Sequence, residues 1–101
     1  MNKRMIQQAQ QLQAQLLKAQ QDLEKLEVEA SAGGGAVTVK MNGQQAILSV
    51  SISPEVVDPN DVEMLEDMVL SAVREAQTKA QEASQKMMGG LTGGLNIPGL
   101  M

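Results

Sequence analysis

The first 26 residues carry apolar side chains at the spacing of a coiled-coil helix. Successive apolar positions are separated by four, three, four, three, four and three residues: Met5, Ala9, Leu12, Leu16, Ala19, Leu23 and Leu26. A stripe that stays in register over about three heptads is typical of one long amphipathic helix. Glutamine fills many of the remaining positions and is a good helix former that keeps the opposite face polar. The pattern predicts a helix over residues 2–26.

After Leu26 the pattern changes to an alternation of apolar and polar residues, which predicts short strands. Gly33-Gly34-Gly35 separates the first strand from the second, and Asn42-Gly43 follows the second. Asn-Gly favours a two-residue type I′ hairpin, because both turn positions need positive φ. Such a turn would pair Val37 with Leu48 and place the apolar residues of both strands on one face. The sequence therefore predicts three antiparallel strands that end before Pro54.

A second helix is predicted to follow Asp58-Pro59-Asn60-Asp61. Asp58 suits the N-cap, Pro59 the first helical position and Asp61 the third, as in a capping box. Apolar residues then recur every three or four positions to Met87, and Gly89-Gly90 is predicted to end the helix. Residues 89–101 have no period and are expected to be disordered. The prediction is a single folded domain over residues 1–88.

These elements predict an α+β fold of order α-β-β-β-α. Helices of ~25 and ~30 residues reach ~37 and ~45 Å, whereas strands of ~7 residues reach ~24 Å, so the helices should overhang the sheet. The overhanging apolar stripe needs a cover, and Ile6 and Leu17 lie beside it. We therefore expect a homodimer. The residues predicted to form the dimer and core seam are Met5, Leu12, Leu16, Leu17, Leu23, Leu65 and Val69.

The composition removes most kinds of catalytic site. The chain has no Cys, no His and no aromatic residue, although 43% of its residues are hydrophobic. Thiolate chemistry, histidine bases and stacking on nucleic-acid bases therefore have no residues to perform them. The carboxylates of Glu63, Glu66 and Asp67 are better explained by the helix macrodipole than by a metal site. We expect no enzyme, no metal, no cofactor and no membrane span, in a protein of the cytosol.

The charges are unevenly distributed, although the formal net charge is −4. Residues 1–18 contain Lys3, Arg4 and Lys18 and no acid, whereas residues 55–67 contain six acids and no base. Arg4, Gln11, Lys18 and Lys25 recur every seven residues and form a column of ~32 Å on the first helix. On the column alone, a solvated helix face is the favoured interpretation. If the helices pair antiparallel, Lys3 and Arg4 should lie near Lys79 and Lys86 at the free helix ends.

Taken together, these features resemble the YbaB/EbfC family of nucleoid-associated proteins. The resemblance covers nearly the whole chain, from the Gln-rich helix to the Gly/Leu/Pro tail. Its most specific parts are the segments LEVEASAGGGAVTVKMNG and EMLEDMV. The resemblance implies an α-β-β-β-α protomer, a tweezer-like homodimer with protruding helices, and duplex DNA as the ligand in the bacterial cytoplasm and nucleoid.

The family has no fixed catalytic motif to carry over to this chain, so DNA contact is assigned by position on the helix ends. The residues expected to contact DNA phosphates are Lys3, Arg4, Lys18, Lys79 and Lys86. The expected role is nucleoid organisation or gene regulation, with recombination or replication proteins as further candidate partners. Two alternatives stay open: a prefoldin-like chaperone, and an adaptor for recombination proteins.

Overall fold

The computed structural model describes residues 2–92, with side chains through residue 89. The elements are helix α1 (Lys3–Lys25), strands β1 (Glu27–Ala32), β2 (Val37–Asn42) and β3 (Ile47–Ile52), a 3-10 turn (Pro54–Val56) and helix α2 (Val62–Thr92). The predicted α+β order and the bounds of α1 are confirmed. Asn2 caps α1, because its side-chain Oδ1 accepts a hydrogen bond from the backbone N–H of Arg4 at 3.0 Å.

The three strands form one antiparallel sheet in the order β1-β2-β3. Val39 of β2 lies opposite Ala30 of β1 and Val50 of β3, so the apolar residues of all three strands share one face. Gly33, Gly34 and Gly35 in the β1–β2 connection all have positive φ, between 64° and 94°. Glycine adopts this conformation without the steric cost that a Cβ imposes.

The predicted two-residue hairpin at Asn42-Gly43 is wrong. Val37 pairs with Ile52 rather than with Leu48, a register shift of four residues. The β2–β3 turn runs over residues 43–46, and its residue with positive φ is Gln45. The shift is an even number of residues at Val50 and Ile52, so these two side chains keep their predicted face. An irregularity between Lys40 and Met41 pairs Met41 with Ile47, so Ile47 leaves the face on which it was predicted.

Both predicted boundaries of α2 also differ from the structure. Asp61 lies directly before α2, and its carboxylate accepts a hydrogen bond from the backbone N–H of Met64 at 3.3 Å. Asp58, the predicted cap, instead accepts from the N–H of Asn60 within the preceding turn. At the other end, α2 continues through Gly89-Gly90 to Thr92. The remainder of the predicted tail, residues 93–101, lies outside the described residues.

The core lies between α2 and the first two strands. Its fully buried members on the sheet are Val37, Val39 and Met41, and on α2 they are alanines four residues apart: Ala72, Ala76 and Ala80. Residues four apart share one helix face, and alanine side chains let the α2 backbone approach the sheet closely. The alanine face therefore determines how closely α2 packs on the sheet.

The protein is elongated, with principal extents of 69 × 26 × 17 Å. Every residue of α1 up to Lys18 is exposed, and Ala19 is the first that is buried. Beyond the sheet, α2 runs antiparallel to α1, since Met87 lines the same groove as Gln15 and Ala19. The predicted overhang of the helices is confirmed.

We expect Ala76→Leu to lower the free energy of unfolding by about 1–3 kcal/mol, because the larger side chain must push α2 away from the sheet. Gln77→Leu, one residue along on the exposed side, should change it by less than ~0.5 kcal/mol. Urea denaturation of both variants measures the difference. Equal losses would show that the alanine face does not fix the helix–sheet distance.

Candidate nucleic-acid interface

Three basic residues lie on the exposed part of α1. Lys3 and Arg4 occupy its first turn and Lys18 its fifth, and all three are exposed. Within residues 2–92 the structure contains one ion pair, between Lys79 and Glu75, so these cations have no acidic partner there. Basic side chains without intramolecular partners are available to an anionic ligand such as a nucleic-acid backbone.

Lys86 lies on the part of α2 that runs beside α1, directly before Met87. It borders a shallow groove with Val28, Lys79, Glu82 and Ala83. Met87 in turn lines the groove between the helices with Lys18. The structure thus brings Lys18 and Lys86 to neighbouring levels of the helix pair.

Lys79 lies beside the sheet and not at a helix tip. Its Nζ donates a hydrogen bond to the backbone oxygen of Glu29 in β1 at 2.9 Å, and it lies 3.9 Å from the Glu75 carboxylate. Lys3 is ~24 Å along α1 from the level where Ala19 meets α2. The expectation that Lys3 and Arg4 lie near Lys79 and Lys86 is therefore wrong. Sequence spacing could not reveal that the ammonium of Lys79 reaches the edge of β1.

The acidic run of residues 55–67 lies far from the basic start of α1. From the level of Met87, α2 runs ~37 Å back to Val62, and α1 runs ~24 Å the other way to Lys3. Together these lengths account for most of the 69 Å extent. The acidic run of residues 55–67 is thus separated from Lys3 by several times the Debye length of ~8 Å at physiological salt. At that salt concentration, repulsion from these acids is largely screened at the α1 tip.

Strand β3 has an uncovered apolar face. Leu48, Val50 and Ile52 are 47%, 47% and 38% exposed, since α2 packs on β1 and β2 instead. Beside them, Ile52 forms an open groove of about 440 Å³ with residues of α2: Leu65, Glu66, Val69, Leu70 and Val73. Monomeric proteins rarely leave a continuous apolar surface of this kind in water. The apolar alternation of β3 predicted this face, but sequence alone could not show that α2 leaves it open.

The residues of the predicted dimer and core seam fall into two groups. Leu65 and Val69 are half-buried against the core and line the β3–α2 groove, and Leu23 is half-buried at the end of α1. The other four are exposed on α1: Met5, Leu12, Leu16 and Leu17. The exposed residues are a second set of uncovered apolar side chains, on a different element from those of β3.

Within residues 2–92, no three acidic side chains come close enough together to hold a metal ion. Over the same residues, no helix is both long enough and apolar enough to span a membrane.

The fold and these surfaces define a small α+β protein that presents basic helical arms beyond a three-stranded sheet. The chain belongs to the YbaB/EbfC DNA-binding family, whose model matches residues 1–95. The family comprises nucleoid-associated DNA-binding proteins, as the sequence resemblance implied.

Relatives of this chain carry the same description. A nucleoid-associated protein of Alkaliphilus metalliredigens is 55% identical over 96 residues, which span 95% of this chain and 84% of the relative. One of Chloroflexus aurantiacus is 54% identical over 96 residues, spanning 94% of this chain and 96% of the relative. The crystal structure of an uncharacterized Helicobacter pylori protein superposes with a TM-score of 0.77, covering 90% of this chain and 97% of that one. At 15% identity, it supports the fold alone.

Substitutions at Lys79 and at Lys86 should have different effects on stability. Lys79→Gln should lower the free energy of unfolding by about 0.5–1.5 kcal/mol, because it removes the hydrogen bond to Glu29. Lys86→Gln should leave stability within ~0.5 kcal/mol of wild type, because Lys86 is exposed and makes no ion pair within residues 2–92. Thermal unfolding monitored by circular dichroism measures both. Equal stabilities would argue that the Lys79 contact contributes nothing to the fold.

Proposed function

We propose that this protein is a homodimeric, nucleoid-associated DNA-binding protein that holds duplex phosphates with the basic, Gln-rich parts of its helices. The observation that supports this most is the projection of α1, with Lys3, Arg4 and Lys18 exposed and unpaired by acids within the described residues. Lys86 on the neighbouring part of α2 extends the same basic surface. Lys79 adds positive charge, but its side chain is less free to contact DNA, since its Nζ donates a hydrogen bond to the backbone oxygen of Glu29.

The dimer is supported by the open face of β3 and the adjoining groove on α2. A second copy presents the same apolar face, so a two-fold arrangement can cover both faces at once. Burial of such surface contributes roughly 25 cal/mol per Å², which is substantial for a chain whose own buried core cluster includes four alanines. The exposed apolar residues of α1 belong to a different element and are not needed for this interface.

DNA binding by this surface should depend mainly on phosphate contacts. Lys and Arg displace counterions from the duplex, and exposed glutamines of α1 add hydrogen bonds to the backbone. With no aromatic residue in the chain, stacking on bases is absent and base readout is limited. This kind of binding suits nucleoid organisation or broad gene regulation, in the nucleoid of the bacterial cytoplasm.

The prefoldin-like alternative has one favourable observation. Met5, Ile6, Leu12, Leu16 and Leu17 are between 41% and 59% exposed on a projecting helix, as a chaperone arm would require. Suppression of aggregation of a denatured client, with no affinity for duplex DNA, would favour that function. Capture of recombination or replication proteins by a variant unable to bind DNA would favour the adaptor.

Val50→Asp combined with Ile52→Asp should dissociate the dimer. Two charges placed in an apolar interface cost several kcal/mol, which weakens association by at least ~100-fold. Sedimentation equilibrium should show a dimer of the 10.8 kDa wild-type chain and a monomer of the variant. Ser51→Asp is the matched control, because Ser51 lies opposite Thr38 on the other face of the sheet. A folded wild-type monomer at micromolar concentration would contradict the dimer.

Changing Lys3, Arg4 and Lys86 together to Glu should abolish duplex binding while leaving the dimer intact. For the wild type, two to three phosphate contacts per protomer predict a slope of log affinity against log salt of roughly −4 to −5. Fluorescence anisotropy on a labelled duplex measures both quantities.

In the matched control, Lys25, Lys40 and Arg74 are changed together to Glu. The net charge changes by the same amount as in the first variant, but at sites away from the α1 tip and from Lys86. The control variant should retain most of the affinity. Equal losses in the two triple variants would show that total charge, and not the helix arms, determines binding.

A further inference from the structure

We infer that the β2–β3 turn, residues 43–46, is a positioning element that fixes the angle of α1 and so determines where its basic residues meet DNA. This inference rests on the proposed function for its DNA-binding consequence. Its structural basis is a set of contacts between the turn and the last two turns of α1.

The attachment of α1 to the rest of the protein is confined to its C-terminal end. Residues 2–18 are all exposed, Ala19 is buried, and Asp22 and Leu23 are half-buried. Lys3 lies 20 residues before Leu23, which is ~30 Å along the helix. A rotation of ten degrees at this attachment would therefore move Lys3 by ~5 Å. Hydrogen bonds to phosphate act over about 3 Å, so small changes in angle decide whether such contacts form.

Two hydrogen bonds from the β2–β3 turn hold the end of α1. The backbone N–H of Gly43 donates to the carbonyl oxygen of Leu23 at 2.8 Å, and Nε2 of Gln44 donates to the carbonyl oxygen of Gln20 at 3.2 Å. The last carbonyls of a helix have no partner within the helix. The turn supplies the missing donor to Leu23 from a distant part of the chain, and so joins the end of the helix to the sheet.

Asn42 gives the turn its shape. Its side-chain Oδ1 accepts hydrogen bonds from the backbone N–H groups of Gln44 at 2.9 Å and Ala46 at 3.0 Å. The residue is only 4% exposed, so a water molecule is a poor substitute for this acceptor. The turn is thus a rigid support rather than a loop that adapts to the helix.

Glycine is required at position 43 because α1 lies so close to it, and not because of its backbone conformation. A Cβ at this position would lie 2.8 Å from the carbonyl oxygen of Leu23 and 3.2 Å from its Cα. Gly43 is not among the residues of positive φ, so alanine is permitted there except for this contact with α1. Both atoms belong to backbone, so an added methyl group must displace the end of the helix. Gly34 is the converse case, with φ of +69° and nothing within 4 Å of an added Cβ.

These two glycines provide a matched pair of variants. Gly43→Ala should change the angle of α1, whereas Gly34→Ala strains its own turn without touching α1. The chain has no cysteine, so Gln8→Cys in α1 and Gln81→Cys in α2 allow spin labels to be placed without background. Doubly labelled chains diluted with unlabelled protein give the distance within one protomer by pulsed electron paramagnetic resonance. Gln44→Ala, which removes one exposed hydrogen bond, replaces Gly43→Ala if circular dichroism shows the latter unfolded.

The wild type and Gly34→Ala should share one narrow distance distribution and one duplex affinity. Gly43→Ala should shift or broaden the distribution, by ~4 Å for each ten degrees of rotation at position 8, and weaken duplex binding about tenfold. An unchanged distribution would overturn the inference, and a changed distribution with unchanged affinity would overturn its link to DNA. If the wild type itself fails to bind duplex DNA, the proposed function is wrong, while the distances still test how α1 is held.

Discussion

The close approach of α2 to the sheet is the constraint on which the rest of the structure depends. Ala72, Ala76 and Ala80 let the helix backbone lie against Val37, Val39 and Met41, so the helix covers β1 and β2 and leaves β3 open. A single helix face of this width cannot cover a third strand. The uncovered β3 face is the surface that the proposed dimer would bury, and the part of α2 beyond the sheet lies beside the projecting α1. The proposed interface and the projection of the helices therefore both depend on this packing.

The distance between the acidic residues 55–67 and the basic start of α1 is what would let a chain with a net charge of −4 bind DNA in the proposed way. Asp61 directly before α2 and Glu63 in its first turn favour the N-terminus of this helix through the helix dipole. The bases of α1 lie beyond the other end of the sheet. Screening over this distance weakens the acidic end's effect on a duplex at the arms, so the local charge of the arm matters more than the net charge.

Periodicity alone predicted both helices and all three strands, because local apolar spacing sets their exposed and buried faces. It also predicted the correct face of Val50 and Ile52, since a register shift of four residues preserves the face, but it did not predict the irregularity that pairs Ile47 with Met41. The hairpin turn was not predictable in the same way. Asn42 and Gly43 are bound by Gln44, Ala46 and Leu23, and the last of these contacts is tertiary.

The candidate site was predictable where exposure follows from the helix pattern, as for Lys3, Arg4 and Lys18. It was not predictable for Lys79, because its partner in β1 is 50 residues away in sequence. The predicted start of α2 was wrong for a simpler reason. Asp58 and Asp61 both suit a cap, and only the three-dimensional turn between them decides which carboxylate faces the helix.

In the proposed complex, the duplex lies against the projecting α1 and away from the acidic start of α2. A photo-crosslinker attached to a single introduced cysteine reports which end contacts the duplex. We predict efficient crosslinking from Gln11→Cys on α1 and little from Asn60→Cys beside the acidic helix start, two exposed positions of similar polarity. Equal crosslinking from both positions, or stronger crosslinking from position 60, would contradict this description of the protein.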